Sequence, residues 1–309
     1  MKRTLIGAAV LVGTLVLAYG FAVVREDIGP IKEGVSEATV LFAGDAMFDR
    51  TVRLTAERQG GDYLFECISP TFKTADLVVL NLEGPITSTS SLSVGSVPGG
   101  PGNYTFTFPT STAALLAKHG VGVVNIGNNH IRDFGNTGTL STMEFLSAAG
   151  VQYFGDPITH TVARKDIQDA RLSLINYNEF IGYSQAASIT LSQIHAEAAA
   201  GRLPIVYTHW GIEYATTTPS SIRELAHQFV EAGAVAVIGS HPHVVGESEV
   251  YNRAPIYYSL GNFIFDQYFS YETTHGLMVA ITFSNGRIKG VREIPVEIHK
   301  NQVCPMQTI

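Results

Sequence analysis

The sequence predicts an α/β fold whose C-terminal part is rich in β-structure, and three observations support this prediction. Hydrophobic residues make up 45% of the 309 residues and charged residues only 15%. Globular chains usually carry about 25% charged residues, so this chain can bury a large core. From Thr39 onward, short apolar runs alternate with amphipathic stretches that have a helical period. After Glu249 the pattern changes to short alternating runs, which are typical of antiparallel strands.

Six apolar runs predict buried strands, and four amphipathic stretches between them predict helices. Three alternating runs in the C-terminal part predict three further strands. Pro219 stands at the start of the fourth helix and Gly233 just past its end, as is usual for helix boundaries. In the C-terminal part, Asn285-Gly286 is typical of a hairpin turn. The predicted strands are residues 40–43, 77–80, 121–126, 172–175, 205–207, 235–238, 255–260, 277–283 and 287–297, and the predicted helices are residues 110–119, 137–149, 188–200 and 219–232.

The first residues of the chain have the pattern of a membrane-targeting segment. Lys2 and Arg3 precede an apolar run, residues 4–24, that contains no charged side chain and has about the 20 residues that a membrane-spanning helix needs. The basic start favours an N-terminus inside the cell, so we predict a single-pass membrane protein with its domain outside the cytoplasm. A signal peptide cleaved near Ala18-Tyr19-Gly20 would instead give a secreted protein. A buried core helix is the third alternative.

The remaining chain is predicted to be a linker and one domain. We place the membrane anchor or signal sequence at residues 1–27, a polar linker at residues 28–38 and the domain at residues 39–300. Within the domain, residues 88–102 are rich in Ser, Gly and Pro. This stretch is either a mobile loop or a flap that faces the substrate, because long loops in compact domains are often functional.

Charge and cysteine content argue against several classes of protein. The net charge of −7 and the pI of 5.8 argue against nucleic acid as a partner, since a phosphate backbone requires a basic surface. Cys67 and Cys304 are too few for a disulfide scaffold and lack the Cys-x-x-Cys spacing of a zinc site. The sequence leaves open whether these two cysteines pair outside the cytoplasm.

Polar residues of the metal-ligand type directly follow five of the predicted strands. Because ligands of open α/β sheets bind beyond the carboxyl ends of the strands, these five groups should meet in space. Histidines together with carboxylate and amide oxygens suit Mn, Fe or Zn better than Ca²⁺. The sequence therefore predicts a divalent-metal site. The five groups are Gly44-Asp45, Asn81-Leu82-Glu83, Gly127-Asn128-Asn129-His130, Thr208-His209-Trp210-Gly211 and Gly239-Ser240-His241-Pro242-His243.

The same residues belong to six motifs: GDAMFDR (44–50), NLEGPIT (81–87), NIGNNHIRDFG (125–135), HWGIEY (209–214), GSHPHV (239–244) and YSLGNFIFD (258–266). In this order they resemble the CapA family, the poly-γ-glutamate capsule synthesis proteins, within the calcineurin-like metallophosphoesterase superfamily. The resemblance extends from Thr39 to about Glu297. It implies a four-layer αββα sandwich, in which two sheets lie between helices, and a centre that holds two divalent metal ions.

The resemblance also implies a set of six metal ligands. Glu83 would bridge the two ions, Asp45 would bind the first, and an asparagine would supply an amide oxygen. Met47 stands where the superfamily usually carries a histidine, so the first ion has one nitrogen ligand fewer. The six implied ligands are Asp45, Glu83, Asn129, His209, His241 and His243.

Six further residues are predicted to act on the substrate. His130 resembles the family's histidine that binds no metal and either gives a proton to the leaving group or stabilises developing charge. Asp133 would orient this imidazole by fixing its tautomer. The four residues predicted to contact the substrate are Arg50, Glu213, Asn262 and Asp266.

These observations favour one function and leave alternatives open. The first is an envelope-facing, metal-dependent hydrolase that acts on a phosphoester or related linkage in the synthesis of a capsule or poly-γ-glutamate-type polymer. The alternative is a non-catalytic, membrane-anchored assembly or export factor for an anionic cell-surface polymer. In either case polymer-synthase subunits are the expected protein partners. A structural protein with an inactive site is the third alternative.

Overall fold

The computed structural model describes residues 36–182 and 184–306. Strands and helices alternate before residue 248, and strands predominate after it. The strands are β1 (Ala38–Ala46), β2 (Leu77–Leu82), β3 (Val121–Asn125), β4 (Gln152–Phe154), β5 (Ala163–Ile167), β6 (Ala170–Asn178), β7 (Leu203–His209), β8 (Ala236–Ser240), β9 (Ser248–Tyr251), β10 (Ala254–Tyr257), β11 (Asn262–Ile264), β12 (His275–Ser284), β13 (Arg287–His299) and β14 (Gln302–Pro305). The helices are α1 (Arg50–Gln59), α2 (Ser69–Phe72), α3 (Thr112–Lys118), α4 (Gly135–Ala148), α5 (Ser184–Ala199) and α6 (Ser220–Glu231).

The strands form two sheets. The first has the order β14-β13-β12-β1-β2-β3-β4, and β11 pairs with β1 outside this path. The second has the order β5-β6-β7-β8-β10-β9. Strands β1 to β4 run parallel to each other, as do β6, β7, β8 and β10. The carboxyl ends of parallel strands lie at one edge of a sheet, and these ends carry the predicted ligands.

Helices cover the outer face of each sheet, and a shared core fills the space between the sheets. In this core, Phe42 of the first sheet and Tyr207 of the second belong to one buried cluster. Leu116 of α3 packs on the outer face of the first sheet, and Ile194 of α5 and Phe229 of α6 pack on the outer face of the second. The layers are therefore helix, sheet, sheet and helix, and the predicted α/β class is confirmed.

Each strand and helix predicted from the sequence is present in the described residues, but one pairing differs and some elements were missed. Residues 255–260 were predicted to be antiparallel, whereas β10 pairs antiparallel with β9 and parallel with β8. Helix α1 was missed because its buried face consists of Val52 and Thr55, which gives little apolar periodicity. The short strands β4, β5, β9, β11 and β14 were missed as well.

The predicted anchor at residues 1–27 and most of the predicted linker lie outside the described residues. Within the described part of the chain, no helix is long and apolar enough to cross a bilayer. Cys67 and Cys304 form a disulfide, the pairing that the sequence left open, across a sequence separation of 237. This bond ties the segment before α2 to β14, at one edge of the first sheet.

Candidate metal centre

Five of the predicted ligands lie where strands of both sheets end. Asp45 is near the end of β1, Glu83 directly follows β2, and His209 is the last residue of β7. His241 and His243 follow β8. Each of the five is at most 4% exposed. The topology thus brings carboxylates from the first sheet together with imidazoles from the second.

The loop after β8 is bent so that both of its histidines enter the cluster. His241 has a φ of 100° and His243 a φ of 59°, conformations that side-chain-bearing residues rarely adopt. The amide of His241 donates a hydrogen bond to Asp45 Oδ2 at 3.1 Å, which fixes the loop to the end of β1. Backbone strain of this kind is common at functional sites, where the surrounding structure holds it in place.

Two overlapping groups of potential ligands share Glu83. One consists of Glu83, His209 and His241, the other of Asp45, Glu83 and His243, and within each group the ligand atoms lie within 4.8 Å of one another. Glu83 Oε1 is 3.9 Å from His209 Nε2 and 3.6 Å from His243 Nε2. This is the arrangement that a carboxylate bridging two ions requires.

Glu83 is buried without a partner. It is 0% exposed, and among the described residues no group donates a hydrogen bond to either carboxylate oxygen. Burial raises the pKa of Glu83 well above its usual value, and the nearby carboxylate of Asp45 raises it further. An unpaired buried carboxylate is costly. A cation between Glu83 and the imidazoles would remove this cost, so the residues present fit divalent metal ions.

Hydrogen bonds orient two of the imidazoles toward Glu83. His209 Nδ1 lies 3.0 Å from Ser240 Oγ, and His243 Nδ1 lies 3.0 Å from Asn262 Oδ1. Partners of this kind fix the orientation of metal-binding histidines. Burial, reinforced by the neighbouring histidines, lowers the pKa of His209 well below its usual value and that of His241 to about 3. Both imidazoles are therefore neutral at physiological pH, as metal ligands must be.

Asn129 supplies an amide oxygen to the same cluster. Its Oδ1 lies 2.8 Å from His209 Nε2, the nitrogen that also lies 3.2 Å from His241 Nδ1. The side chain thus faces the group formed by Glu83, His209 and His241. The structure brings all six predicted ligands together, and their roles as ligands stay predictions.

His130 and Asp133 form a pair beside the cluster. His130 Nδ1 lies 2.9 Å from Asp133 Oδ2, and the same oxygen accepts a hydrogen bond from the Phe106 amide at 2.7 Å. The His130 ring packs on Phe106 with ring centroids 4.3 Å apart. Neither ligand group contains His130. Asp133 is placed to orient the imidazole, and the predicted proton transfer by His130 is untested.

The four predicted substrate contacts have different surroundings. Arg50 Nη2 lies 2.5 Å from Asp266 Oδ1 without hydrogen-bond geometry. The Arg50 guanidinium packs over both the Phe106 and Phe265 rings, 5.1 and 5.4 Å from their centroids. Glu213 is exposed.

The side-chain amide of Asn262 is hydrogen-bonded within the protein. Besides contacting His243, it donates hydrogen bonds from Nδ2 to Gln267 Oε1 at 3.0 Å and to the Thr273 carbonyl at 2.9 Å. Asn262 therefore orients a histidine, and its contact with a substrate stays a prediction.

A network of asparagines behind the ligands was missed. Asn81 Nδ2 donates to Asp45 Oδ1 at 2.8 Å, and Asn81 Oδ1 accepts from Asn125 and Asn128 at 3.0 and 3.1 Å. Asn176 continues the network by donating to Asn125 Oδ1 at 3.0 Å. The available signal was that Asn81, Asn125 and Asn128 lie inside the predicted motifs. The network fixes the Asp45 carboxylate, as second partners of ligands commonly do.

Met47 does not join the cluster. Its side chain is fully buried in the core between the first sheet and its helices, and its sulfur accepts a hydrogen bond from the Asp49 amide at 2.9 Å. The group around Asp45 therefore has one imidazole, from His243, whereas the other group has two.

Comparisons with known proteins place the chain in a family. Residues 39–267 match the model of the bacterial capsule synthesis protein family PGA_cap. The capsule biosynthesis protein CapA of Bacillus anthracis is 28% identical in an alignment 278 residues long that covers 83% of this chain and 67% of the relative. The PGA biosynthesis protein CapA of Bacillus subtilis is 28% identical in an alignment 284 residues long that covers 86% of this chain and 73% of the relative.

Among solved structures, the sulfate thiohydrolase SoxB of Thermus thermophilus aligns with a TM-score of 0.47 and 13% identity, over 83% of this chain and 45% of that one. The family match covers more than half of the chain and contains the six ligand positions. The resemblance found in the motifs is thereby confirmed. The chain belongs to the PGA_cap family of bacterial capsule synthesis proteins, whose members include the CapA proteins.

Proposed function

We propose that the chain is a divalent-metal-dependent hydrolase of the phosphoesterase type that acts in the synthesis of a capsule or poly-γ-glutamate-type polymer. The observation that carries this proposal is Glu83, an unpartnered buried carboxylate shared by two ligand groups. Structural sites hold one ion in a closed shell, whereas two ions that share a carboxylate are typical of hydrolytic centres. The names of the family and its relatives indicate capsule synthesis as the biological process but do not specify a reaction.

The proposed division of the ligands follows the two groups. Asp45, Glu83 and His243 would hold one ion, and Glu83, His209 and His241 the other, with Asn129 beside it. Mixed nitrogen and oxygen ligands suit Mn, Fe or Zn. Divalent ions bound here would lower the pKa of a water molecule and so supply a nucleophile near neutral pH.

His130 is proposed to donate the proton that the leaving group needs. Asp133 holds His130 Nδ1 at 2.9 Å, so Nε2 is the nitrogen left to donate. Since Asp133 also binds the Phe106 amide, the carboxylate is fixed at two points and keeps the imidazole in one orientation. General acid catalysis of this kind is typically worth roughly 10²–10⁴-fold in rate.

The test combines metal analysis with turnover of a chromogenic phosphoester by the full-length chain. We expect bound divalent metal and metal-dependent hydrolysis in the wild type, and loss of hydrolysis in Asp45→Asn. Glu57→Gln is the matched control, because Glu57 is exposed on α1 and its change should leave both readouts unaltered. Absence of hydrolysis with Mn²⁺, Fe²⁺ and Zn²⁺ would contradict the proposal.

The alternative proposal is a non-catalytic assembly or export factor for an anionic polymer, with polymer-synthase subunits as partners. The position of Met47 favours it, because this side chain is buried in the core and leaves the Asp45 group with a single imidazole. Metal binding without hydrolysis, together with loss of polymer in cells that carry Asp45→Asn, would support this alternative.

A further inference from the structure

A cavity lies beside the metal centre, between the segment around residues 93–104 and the segment after β11. Its volume is about 380 Å³, within the roughly 300–1,000 Å³ of small-molecule sites. We call it the loop pocket. The lining residues that matter here are Arg50, Tyr104, Tyr214, Asp266, Gln267 and Phe269.

The loop pocket is connected to the metal centre through single aromatic contacts. The Tyr214 ring lies 6.1 Å from the His243 ring. Arg50 packs on Phe106, whose ring also packs on His130. Tyr214 thus separates the loop pocket from His243, and Arg50 and Phe106 separate it from His130. A molecule in the loop pocket would therefore lie close enough to the metal centre to be the part of a substrate beyond its reacting bond.

The charges of the loop pocket do not suit a polyanion. Among the described residues, Arg50 and Asp266 are the two charged side chains that line it, and they are opposite in sign and 2.5 Å apart. Glu213, next to Tyr214 in the chain, adds a negative charge nearby. Burial, together with this carboxylate, raises the pKa of the Tyr214 hydroxyl to about 12. A chain of glutamates carries a carboxylate on every residue, and such a ligand requires a surface of opposite charge.

Exposed aromatic rings form the walls of the loop pocket. Tyr104 is 55% exposed and Phe269 is 64% exposed, and Phe269 meets Tyr214 edge to face with centroids 5.1 Å apart. Gln267 Nε2 donates a hydrogen bond to the Tyr214 hydroxyl at 3.2 Å. A sugar ring has apolar C–H faces that pack on aromatic rings, and hydroxyl groups at its edge that reach polar side chains. Aromatic residues with a polar end match both features.

We propose that the loop pocket binds an uncharged sugar ring, so that the substrate class of this site is a sugar phosphoester, not a polycarboxylate. The sugar would pack against Tyr104, Tyr214 and Phe269, while its phosphoryl group would extend past Arg50 to the metal centre. The reaction in this statement rests on the proposed function, whereas the sugar-binding part rests on the walls and charges of the loop pocket.

Titration calorimetry with the full-length chain tests the inference without any turnover. The probes are a neutral N-acetylglucosamine trisaccharide and a γ-linked glutamate oligomer. We expect the trisaccharide to bind, the glutamate oligomer not to bind, and the trisaccharide affinity to fall about tenfold in Tyr104→Ala and in Phe269→Ala. Tyr271→Ala is the matched control, because Tyr271 is 67% exposed but is not among the lining residues. Thermal melting shows whether each variant is folded.

Two results would overturn the inference: absence of trisaccharide binding, whether or not the glutamate oligomer binds, or unchanged trisaccharide affinity in both wall variants. The proposed function is judged separately with the chromogenic phosphoester. A chain that binds the trisaccharide through Tyr104 and Phe269 but hydrolyses no phosphoester supports the sugar pocket and contradicts the hydrolase. A chain that hydrolyses the phosphoester but does not bind the trisaccharide supports the hydrolase and contradicts the sugar pocket.

Discussion

At Glu83 the fold buries a carboxylate to which no described residue donates a hydrogen bond. Near neutral pH, Glu83→Gln should therefore stabilise the metal-free chain by roughly 1–3 kcal/mol, because the amide is neutral as it stands, whereas the buried carboxyl must either carry a charge or take up a proton. In the presence of Mn²⁺ the order should reverse, because the variant loses the ligand shared by both groups. Thermal unfolding with EDTA and with excess Mn²⁺ measures both effects.

The same variant should change the pH dependence of stability. The pKa of Glu83 is raised above its usual 4.5 by burial and by Asp45, so the folded, metal-free chain retains a proton that the unfolded chain has released. As pH rises above about 4.5, the wild type should therefore lose stability relative to Glu83→Gln. Glu57→Gln should follow the wild type. A difference in Tm between wild type and Glu83→Gln that is the same at pH 4 and pH 8 would contradict this explanation.

His243 and His130 should respond differently to truncation. His243→Ala removes the imidazole nitrogen Nε2, which lies 3.6 Å from Glu83 Oε1, so bound metal should decrease. His130→Ala should keep the metal content of the wild type, because His130 contacts Asp133 and lies outside both ligand groups. Its kcat should fall by roughly 10²–10⁴. Elemental analysis and turnover measure the two effects, and equal metal loss in both variants would show that His130 has been given the wrong role.

Neighbouring asparagines show what the sequence could predict about single residues and what it could not. The positions of Asp45 and His209 at strand ends follow from apolar runs alone, because parallel strands present their carboxyl ends at one edge. Asn128 and Asn129 are adjacent and chemically identical. In the structure Asn128 Nδ2 donates to the Leu82 carbonyl at 2.8 Å, whereas Asn129 Oδ1 faces His209. The backbone geometry of the loop decides which of the two side chains faces the cluster, and the sequence does not show this geometry.

At the scale of elements, the contact between β1 and β11 depends on a glycine. A Cβ atom at Gly44 would lie 1.9 Å from the Gly261 carbonyl oxygen. The Cβ is attached directly to the backbone and the oxygen belongs to it, so neither atom can move aside without a shift of a strand. Gly44→Ala should destabilise the chain by about 3 kcal/mol and lower bound metal, because β11 carries Asn262, which orients His243. Denaturant unfolding and metal analysis measure the two effects.

Gly290→Ala is the control for this change, since a Cβ at Gly290 would meet no atom within 4 Å. Equal stability of the two alanine variants would show that β11 can move away from β1 at little cost.

The elements that the sequence missed are those without a local pattern. Strand β11 is three residues long, and it forms through parallel pairing of Asn262 with Asp45, residues that are distant in the chain. Strand β7 was predictable because its residues are almost all buried and so form a continuous apolar run. All three residues of β11 are buried as well, so its short length, and not exposure, kept it from being predicted.

At the scale of the whole molecule, the metal centre depends on the two sheets staying together. Asp45 and Glu83 come from the first sheet, whereas His209, His241 and His243 come from the second. Binding of metal would therefore stabilise the contact between the sheets as well as the local loops. The disulfide between Cys67 and Cys304 acts within the first sheet and its helices, so it does not substitute for the metal in holding the two sheets together.

The last prediction concerns the compartment, and we propose that the domain lies outside the cytoplasm. The basic start and the uncharged run at residues 4–24 predict this topology, and the disulfide supports it, because such bonds persist in oxidising compartments. Protease added to intact spheroplasts should degrade the domain while a cytoplasmic marker protein survives. Cys67 and Cys304 should resist alkylation until a reductant is added, whereas an exposed cysteine introduced as Ser90→Cys should react at once. If the domain is cut only after lysis and both native cysteines alkylate without reductant, the topology is reversed.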